Sequence, residues 1–148
     1  MTNPDKVSGS LEKAVEGMDV FIGVSAPGAF KGEWISRMAE KPIIFAMANP
    51  IPEIYPDEAK KNGVFIYGSG RSDFANQINN SLVFPGIFRG IEEQGVREIT
   101  MDLKLAVARA LAECVGEELG VEYILPSSLD VKIGKMIARE MGKHLGKL

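Results

Sequence analysis

Three short apolar runs constrain the fold of this chain more than any other sequence feature. They span residues 20–24, 43–48 and 64–67, and helical patterns separate them. The first run is rich in β-branched residues and ends at a turn, which is typical of a strand buried on both faces. The order strand, helix, strand, helix, strand predicts a parallel sheet with right-handed crossovers. We therefore expect an α/β fold, namely half of a doubly wound Rossmann-like sheet of about three strands with flanking and C-terminal helices.

Helix signals precede and separate these runs. Ser10 is placed to cap a short helix that ends near Gly17. Residues 31–39 form an amphipathic pattern, and Pro56 and Gly63 are placed to begin and end a further helix. Three large apolar residues share one face of the pattern at 31–39: Trp34, Ile35 and Met38.

The second half of the chain shows only helical patterns. One covers residues 82–93, with Pro85 at a kink or in the first turn. The next begins at Thr100 or Asp102, and the last covers residues 130–143. We expect the last two helices to pack back on the domain.

Composition indicates an ordinary soluble globular protein. The chain has 148 residues, 45% of them hydrophobic, and a net charge of -3, which offers no basic field for nucleic acid. No apolar run approaches the roughly 20 residues of a membrane helix. We expect one domain over 1–148, with an α/β part at 1–98 and C-terminal helices at 99–148. The single cysteine, Cys114, excludes an internal disulfide and fits a reducing cytoplasm. It is expected to be an inert buried thiol, and His144 a solvated residue.

A long polar loop follows the third apolar run. Residues 70–86 read GRSDFANQINNSLVFPG and begin where a strand ends, which is the edge at which open α/β sheets bind ligands. Side-chain amides both donate and accept hydrogen bonds, so they are suited to carboxylates and carboxamides. The loop contains a group of them: Asn76, Gln77, Asn79 and Asn80. It is therefore a candidate binding site.

Three stretches of the sequence carry a family resemblance. They are DVFIGVS at 19–25, ANPIPEI at 48–54 and GRSDFANQINNSLVFPGIFRG at 70–90. In this order and spacing they resemble the malic enzymes, the decarboxylating malate oxidoreductases, particularly the shorter bacterial and archaeal type. The resemblance covers nearly the whole chain and is weakest after Val115. It implies the carboxyl-terminal part of an NAD(P)-binding domain.

The resemblance implies a reaction as well. Malic enzymes oxidise (S)-malate to pyruvate and carbon dioxide with NAD or NADP and with Mg or Mn. By resemblance, Asn49 and Asn80 contact malate, and Asn79 lies at the nicotinamide end of the cofactor. Each also has a structural interpretation, because Asn49 precedes a proline turn and the other two could cap a helix beginning at Ser81.

Small and basic residues near the strand ends are further candidates for cofactor binding. A cofactor ribose that approaches the backbone requires small residues, although a tight turn requires them too. Arg71 could bind phosphate, although a local ion pair with Asp73 is the favoured interpretation. These candidates are Gly23, Ser25, Ala26, Gly70 and Arg71.

The sequence lacks parts of the catalytic apparatus that the resemblance implies. It contains no Gly-x-Gly-x-x-Gly phosphate loop, and no cluster of acids that we can assign to a metal. In the family, the phosphate-binding half and a domain with a tyrosine, a lysine and three acidic metal ligands precede the matched region. We therefore expect no catalytic or metal-ligating residue here, and a partnership with the missing N-terminal portion. The choice between NAD and NADP stays open.

Two interpretations of the chain follow. In the first it is a piece of a homo-oligomeric malic enzyme, or one subunit of a split enzyme, and is inactive alone. In the second it is a stand-alone module for ligand binding or oligomerisation. An exposed sheet edge would then predict self-association.

Overall fold

The structure, a computed structural model that describes residues 3–146, divides into two compact units. One unit ends at Ala75 and the other begins at Asn76. The division predicted after residue 98 therefore falls inside the second unit, because the helix Phe84–Gln94 packs against a later helix of that unit. A single domain over the whole chain stays a prediction.

The first unit is built on a three-stranded parallel sheet. Its strands are β1 (Val20–Gly23), β2 (Ile43–Ala46) and β3 (Ile66–Ser69), in the spatial order β1-β2-β3. The first residues of the three strands lie opposite one another, and so do the last. All three strands therefore end at the same edge, and the α/β fold expected from the sequence is confirmed.

Two short helices of this unit begin where the sequence predicts. Ser10 caps α1 (Leu11–Ala14), and proline occupies the first turn of α2 (Pro56–Lys61). Strand β3 begins two residues later than predicted. The reason is that the N–H of Val64 still donates to the carbonyl of Ala59, 3.1 Å away, at the end of α2.

The connection from β1 to β2 differs from the prediction. We expected an α-helix at 31–39, whereas the chain forms a 3₁₀ helix at Gly32–Arg37. The hydroxyl of Ser36 donates to the carbonyl of Glu33 at 2.8 Å, which occupies the acceptor that the next α-helical hydrogen bond would use. The predicted apolar face is nevertheless buried: Trp34, Ile35 and Met38.

Strand β1 is not buried on both faces, so that expectation was wrong. Alternate residues of a strand lie on opposite faces, and Phe21 joins the core of the first unit. Val20, Ile22 and Val24 are 43%, 61% and 77% exposed on the other side. Within the described residues of this unit, an apolar face of an edge strand is left open.

The second unit consists of helices. They are α3 (Phe84–Gln94), α4 (Met101–Glu113) and α5 (Val131–His144), with 3₁₀ turns at Asn80–Leu82 and Gly116–Glu118. Proline lies in the first turn of α3, one of the two positions predicted for it. Among residues 3–146, no helix is long and apolar enough to cross a membrane.

Glycines allow α3 to pack closely on α5. A Cβ atom added at Gly86 would lie 2.7 Å from Cβ of Ile137, and one added at Gly90 would lie 2.9 Å from Cε of Met141. Both α5 residues are fully buried. This contact, rather than any with the sheet, places α3 in the second unit.

The remaining single residues follow the sequence analysis in part. Cys114 is half-buried rather than buried, and its thiol donates to the carbonyl of Ala110 at 3.1 Å. Burial raises the pKa of this thiol, so it stays protonated at neutral pH. His144 is exposed at the end of α5, as expected.

Candidate functional site

In the first unit, the segment after β2 connects the ends of all three strands. This segment, residues 49–54, begins with a cis peptide bond between Asn49 and Pro50 and ends at the buried Ile54. Loops after β1 and β3 both donate hydrogen bonds to it, as does β3 itself. We call it the strand-end segment.

Glu53 makes most of the side-chain hydrogen bonds of the strand-end segment. Its side chain is fully buried, and its oxygens accept three hydrogen bonds. Oε1 accepts from the backbone N–H of Ser25 at 2.7 Å and from the Ser25 hydroxyl at 3.1 Å, whereas Oε2 accepts from the N–H of Ala48 at 3.0 Å. One carboxylate therefore joins the loop after β1 to the end of β2.

These hydrogen bonds set the charge state of Glu53. Burial alone would raise the pKa of the carboxyl group, but the donors at Ser25 and Ala48 outweigh burial and hold the pKa below its usual range. Glu53 is consequently ionised at neutral pH.

Gly23 is explained by the same carboxylate. A Cβ atom at this position would lie 2.6 Å from Cδ and 2.7 Å from Oε1 of Glu53. A side chain here would displace the carboxylate from its donors. The absence of a side chain at Gly23 therefore has a structural reason within the unit.

Backbone hydrogen bonds continue the connection on the β1 side. The N–H of Gly28 donates to the carbonyl of Pro52 at 3.2 Å, and the N–H of Phe30 donates to the carbonyl of Glu53 at 3.1 Å. With the side-chain bonds of Glu53, they attach the whole loop after β1 to the strand-end segment.

Strand β3 reaches the same segment through a buried phenol. The hydroxyl of Tyr67 donates to the carbonyl of Ile54 at 2.8 Å. Burial raises the pKa of Tyr67 to about 12, so this hydroxyl remains a donor at neutral pH.

Arg71 follows β3 and is held locally. Its guanidinium makes two hydrogen bonds to Asp73, at 2.8 and 2.7 Å, and donates a third to the carbonyl of Pro50 at 2.9 Å. It also lies 5.0 Å from the ring centroid of Phe74. The favoured local ion pair is therefore present, and it raises the pKa of Arg71 and lowers that of Asp73.

The other candidates of the first unit lie at the same strand ends. Ser25 and Ala26 are exposed in the turn after β1, and Gly70 is buried directly after β3. Asn49 is exposed, and its side chain makes no hydrogen bond within residues 3–146. The structure thus brings the first-unit candidates to one edge of the sheet and leaves the Asn49 amide available to a ligand.

In the second unit, two of the loop amides have structural partners. Asn76 is buried with a φ of 54°, and its amide donates to the carbonyl of Val121 at 2.8 Å and accepts from the N–H of Ile124 at 2.9 Å. Gln77 accepts from the hydroxyl of Ser128 at 2.9 Å. Both side chains fasten the loop between α4 and α5.

The remaining two amides behave differently from each other. Asn79 accepts the N–H of Ser81 at 3.0 Å and so caps the 3₁₀ turn before α3. Asn80 is exposed, and its side chain has no hydrogen-bond partner in the described part of the chain. The structural interpretation applies to Asn79, whereas the Asn80 amide is available.

Metal ligands are not grouped in this part of the protein. Within residues 3–146, no three His, Cys, Asp or Glu side chains lie close enough together to hold a metal ion.

The first unit has a cavity of about 370 Å³ beside the strand-end segment, lined in part by Phe30, Glu53 and Tyr55.

Sequence reasoning missed Glu53 and misjudged Asn76. The signal for Glu53 was an acid between Pro52 and Ile54, in a stretch with no other charge, where burial demands a specific partner. The sequence of the polar loop indicates Asn76 as a possible ligand-binding amide, although asparagine is also a residue type that tolerates the positive φ found here.

Comparisons with a family model and with known proteins identify the same family. The model of the family "Malic enzyme, NAD binding domain" matches residues 3–145. The NAD-dependent malic enzyme of Geobacillus stearothermophilus is 54% identical over 134 residues, covering 90% of this chain and 28% of the relative. The bifunctional malic/malolactic enzyme of Bacillus subtilis is 46% identical over 143 residues, covering 96% of this chain and 35% of the relative.

Solved structures agree with the sequence comparison. The crystal structure of a malic enzyme from Entamoeba histolytica has a TM-score of 0.91 and 42% identity, covering 98% of this chain and 30% of that one. The NAD-dependent malic enzyme from Thermotoga maritima has a TM-score of 0.88 and 45% identity, covering 95% and 36%. This chain spans roughly a third of the length of these proteins. Because the family model matches nearly all of it, the chain belongs to the family of malic enzyme NAD-binding domains.

Proposed function

We propose that this chain is the carboxyl-terminal part of the NAD(P)-binding domain of an enzyme that oxidatively decarboxylates (S)-malate to pyruvate and carbon dioxide. The observation that carries the proposal is the family match over residues 3–145. Relatives named as NAD-dependent and as NADP-dependent malic enzymes both match this chain, so either coenzyme is compatible with it.

The amides of Asn49 and Asn80 are the proposed malate contacts. Both side chains are exposed, and neither forms a hydrogen bond within residues 3–146. An amide can donate to a substrate carboxylate without first breaking an internal bond, and that favours these two positions over the other amides of the polar loop.

The proposed cofactor contacts are mainly backbone positions. Gly23, Ser25 and Ala26 form a turn of small residues at the end of β1, and such a turn admits a close ribose. The bound nicotinamide would accept the hydride of the reaction. Gly70, Arg71 and Asn79 complete this proposal, the last two in addition to their structural bonds.

The remaining chemistry requires groups from elsewhere in a longer protein. Malate oxidation needs a base for the hydroxyl proton and a divalent cation to polarise the ketone. The described residues offer no cluster that fits Mg or Mn. We propose that the metal ligands, a tyrosine, a lysine and the phosphate loop come from the N-terminal portion, in a homo-oligomeric cytoplasmic enzyme.

The test uses the full-length protein that carries this chain. Asn49→Ala and Asn80→Ala should each raise the KM for malate at least about tenfold, measured from NAD(P)H absorbance. Asn62→Ala is the matched control, because Asn62 is exposed after α2 and its side-chain amide donates to the nearby carbonyl of Glu58 at 2.8 Å. Unchanged kinetics in both test variants would contradict the malate assignments.

A second function is favoured by the exposed apolar face of β1. Val20, Ile22 and Val24 would promote self-association of the isolated chain, as expected for an oligomerisation module. Sedimentation of the 148-residue chain tests this, together with a malate turnover assay. A monomeric chain would count against the module, and malate turnover by the chain alone would contradict the need for a partner portion.

A further inference from the structure

We propose that Glu53 is a positioning residue for malate binding: its buried carboxylate fixes the backbone from which the Asn49 side chain projects. The inference rests on the proposed function, because it gives Glu53 a role at the same site. Glu53 is buried, accepts three hydrogen bonds and is joined through Ala48 to Asn49.

The donors around Glu53 require a side chain that only accepts hydrogen bonds. Ser25 presents an N–H and a hydroxyl to Oε1, and Ala48 presents an N–H to Oε2. A carboxylate accepts at both oxygens, whereas a glutamine amide would set its NH₂ against one of these donors. Glutamine therefore has nearly the same shape as glutamate but cannot make the same set of bonds.

The link to Asn49 is the point where β2 leaves the sheet. The N–H of Met47 still donates to the carbonyl of Gly23 at 3.0 Å, as in the parallel ladder. The next N–H, that of Ala48, donates instead to Glu53. Asn49 follows directly, so the carboxylate sets the direction of the chain one residue before the proposed malate amide.

The strand-end segment is also held by contacts that do not involve Glu53. Arg71 donates to the carbonyl of Pro50, and Tyr67 donates to the carbonyl of Ile54. Loss of the Glu53 bonds should therefore loosen Ala48 and Asn49 without releasing the whole segment. This limited effect makes a functional test possible.

A matched control is present in the same unit. Glu58 is an exposed acid on α2 that accepts the backbone N–H of Gly32 at 3.1 Å. Glu53→Gln and Glu58→Gln are the same chemical change to a carboxylate that accepts a backbone N–H from another element, but Glu58 does not lie at the strand ends. Glu53→Asp is a second test variant, since its shorter side chain keeps the charge but cannot span both donors.

Two measurements are made on the full-length protein. Amide hydrogen exchange at Ser25 and Ala48 should become about tenfold faster in both Glu53 variants and stay unchanged in Glu58→Gln. The KM for malate should rise at least about tenfold in the Glu53 variants. Because Glu53 acts through Asn49, the double variant Glu53→Gln/Asn49→Ala should be little worse than Asn49→Ala alone.

The outcomes separate the two proposals. If the wild-type protein does not oxidise malate, the proposed function fails and takes the malate role of Glu53 with it, while the exchange data still show whether the carboxylate holds the loops. If malate is oxidised but KM is unchanged in the Glu53 variants, or the two losses multiply in the double variant, the positioning role is wrong. A protein that folds with neither Glu53 substitution would show a folding role and overturn the inference.

Discussion

Each unit of this chain has a buried polar side chain that fastens a loop, Glu53 in the first and Asn76 in the second, and the two differ in kind. Glu53 in the first unit accepts three hydrogen bonds and donates none. Asn76 in the second unit donates to Val121 and accepts from Ile124. The carboxylate suits a place where two strand ends both present donors. The amide suits a single loop that presents one donor and one acceptor.

The difference also determines which of these two loop contacts responds to acid. The Glu53 bonds depend on an ionised group, whereas those of Asn76 involve a neutral amide that does not titrate. The exposed amides Asn49 and Asn80 form a third class, with no internal partner in the described chain. Side chains with internal partners shape the loops, and those without them are the better candidates for ligand contact.

The largest effect is expected from removing the carboxylate. Glu53→Ala leaves the backbone N–H groups of Ser25 and Ala48 without an acceptor, so the free energy of unfolding of the 148-residue chain should fall by about 3 kcal/mol. Urea denaturation measures this change. Glu58→Ala, the exposed counterpart, should cost less than about 1 kcal/mol. Equal losses in the two variants would contradict the prediction that the buried Glu53 carboxylate contributes more to stability than the exposed Glu58 carboxylate.

A somewhat smaller effect is expected at Asn76. Asn76→Ala removes a hydrogen bond to Val121 and one from Ile124, and alanine also resists a φ of 54°. The unfolding free energy should fall by about 2 kcal/mol in urea. Asn76→Gly separates the two causes, because glycine tolerates the backbone angle but restores neither bond. If glycine recovers full stability, the backbone angle and not the amide explains the position.

Much of the fold could be predicted because its signals are local. The apolar runs, the cap at Ser10 and the prolines at 56 and 85 each act within a few residues of their element. The division between the units could not, because it depends on the close packing of α3 on α5, and side chains at Gly86 and Gly90 would prevent that packing. Such complementarity between distant helices has no local pattern.

The candidate site was predictable only in part, for a related reason. The motifs place Asn49 and Arg71 at strand ends, and the structure brings those ends to one edge of the sheet. The role of Glu53 depends on donors that are 28 and 5 residues away. No sequence pattern shows those donors, so a buried acid could be noticed but not explained without the fold.

Lowering the pH should weaken the contribution of Glu53 to stability but not that of Asn76. The pKa of Glu53 is lowered in the folded chain, so its contribution is present above the unfolded value of about 4.3 and is lost as pH falls through the folded pKa. The stability difference between wild type and Glu53→Gln should be largest at pH 7 and shrink towards pH 3 in urea titrations. The corresponding difference for Asn76→Ala should stay nearly constant. A gap for Glu53→Gln that does not change with pH would show that charge is not what the site requires.

The smallest effect is expected at Asn79, which lies between the two classes because it caps a turn and is also a proposed cofactor contact. Asn79→Ala should lower the unfolding free energy by about 1 kcal/mol, and Asn79→Ser should keep most of it, since a serine hydroxyl can still accept the N–H of Ser81. Binding of NADH or NADPH to the full-length protein, followed by fluorescence, then distinguishes the roles. If Asn79 only caps, serine restores both stability and coenzyme affinity. If its amide also contacts the nicotinamide end, serine restores stability while affinity stays reduced, because a hydroxyl cannot reproduce both the donor and the acceptor of an amide.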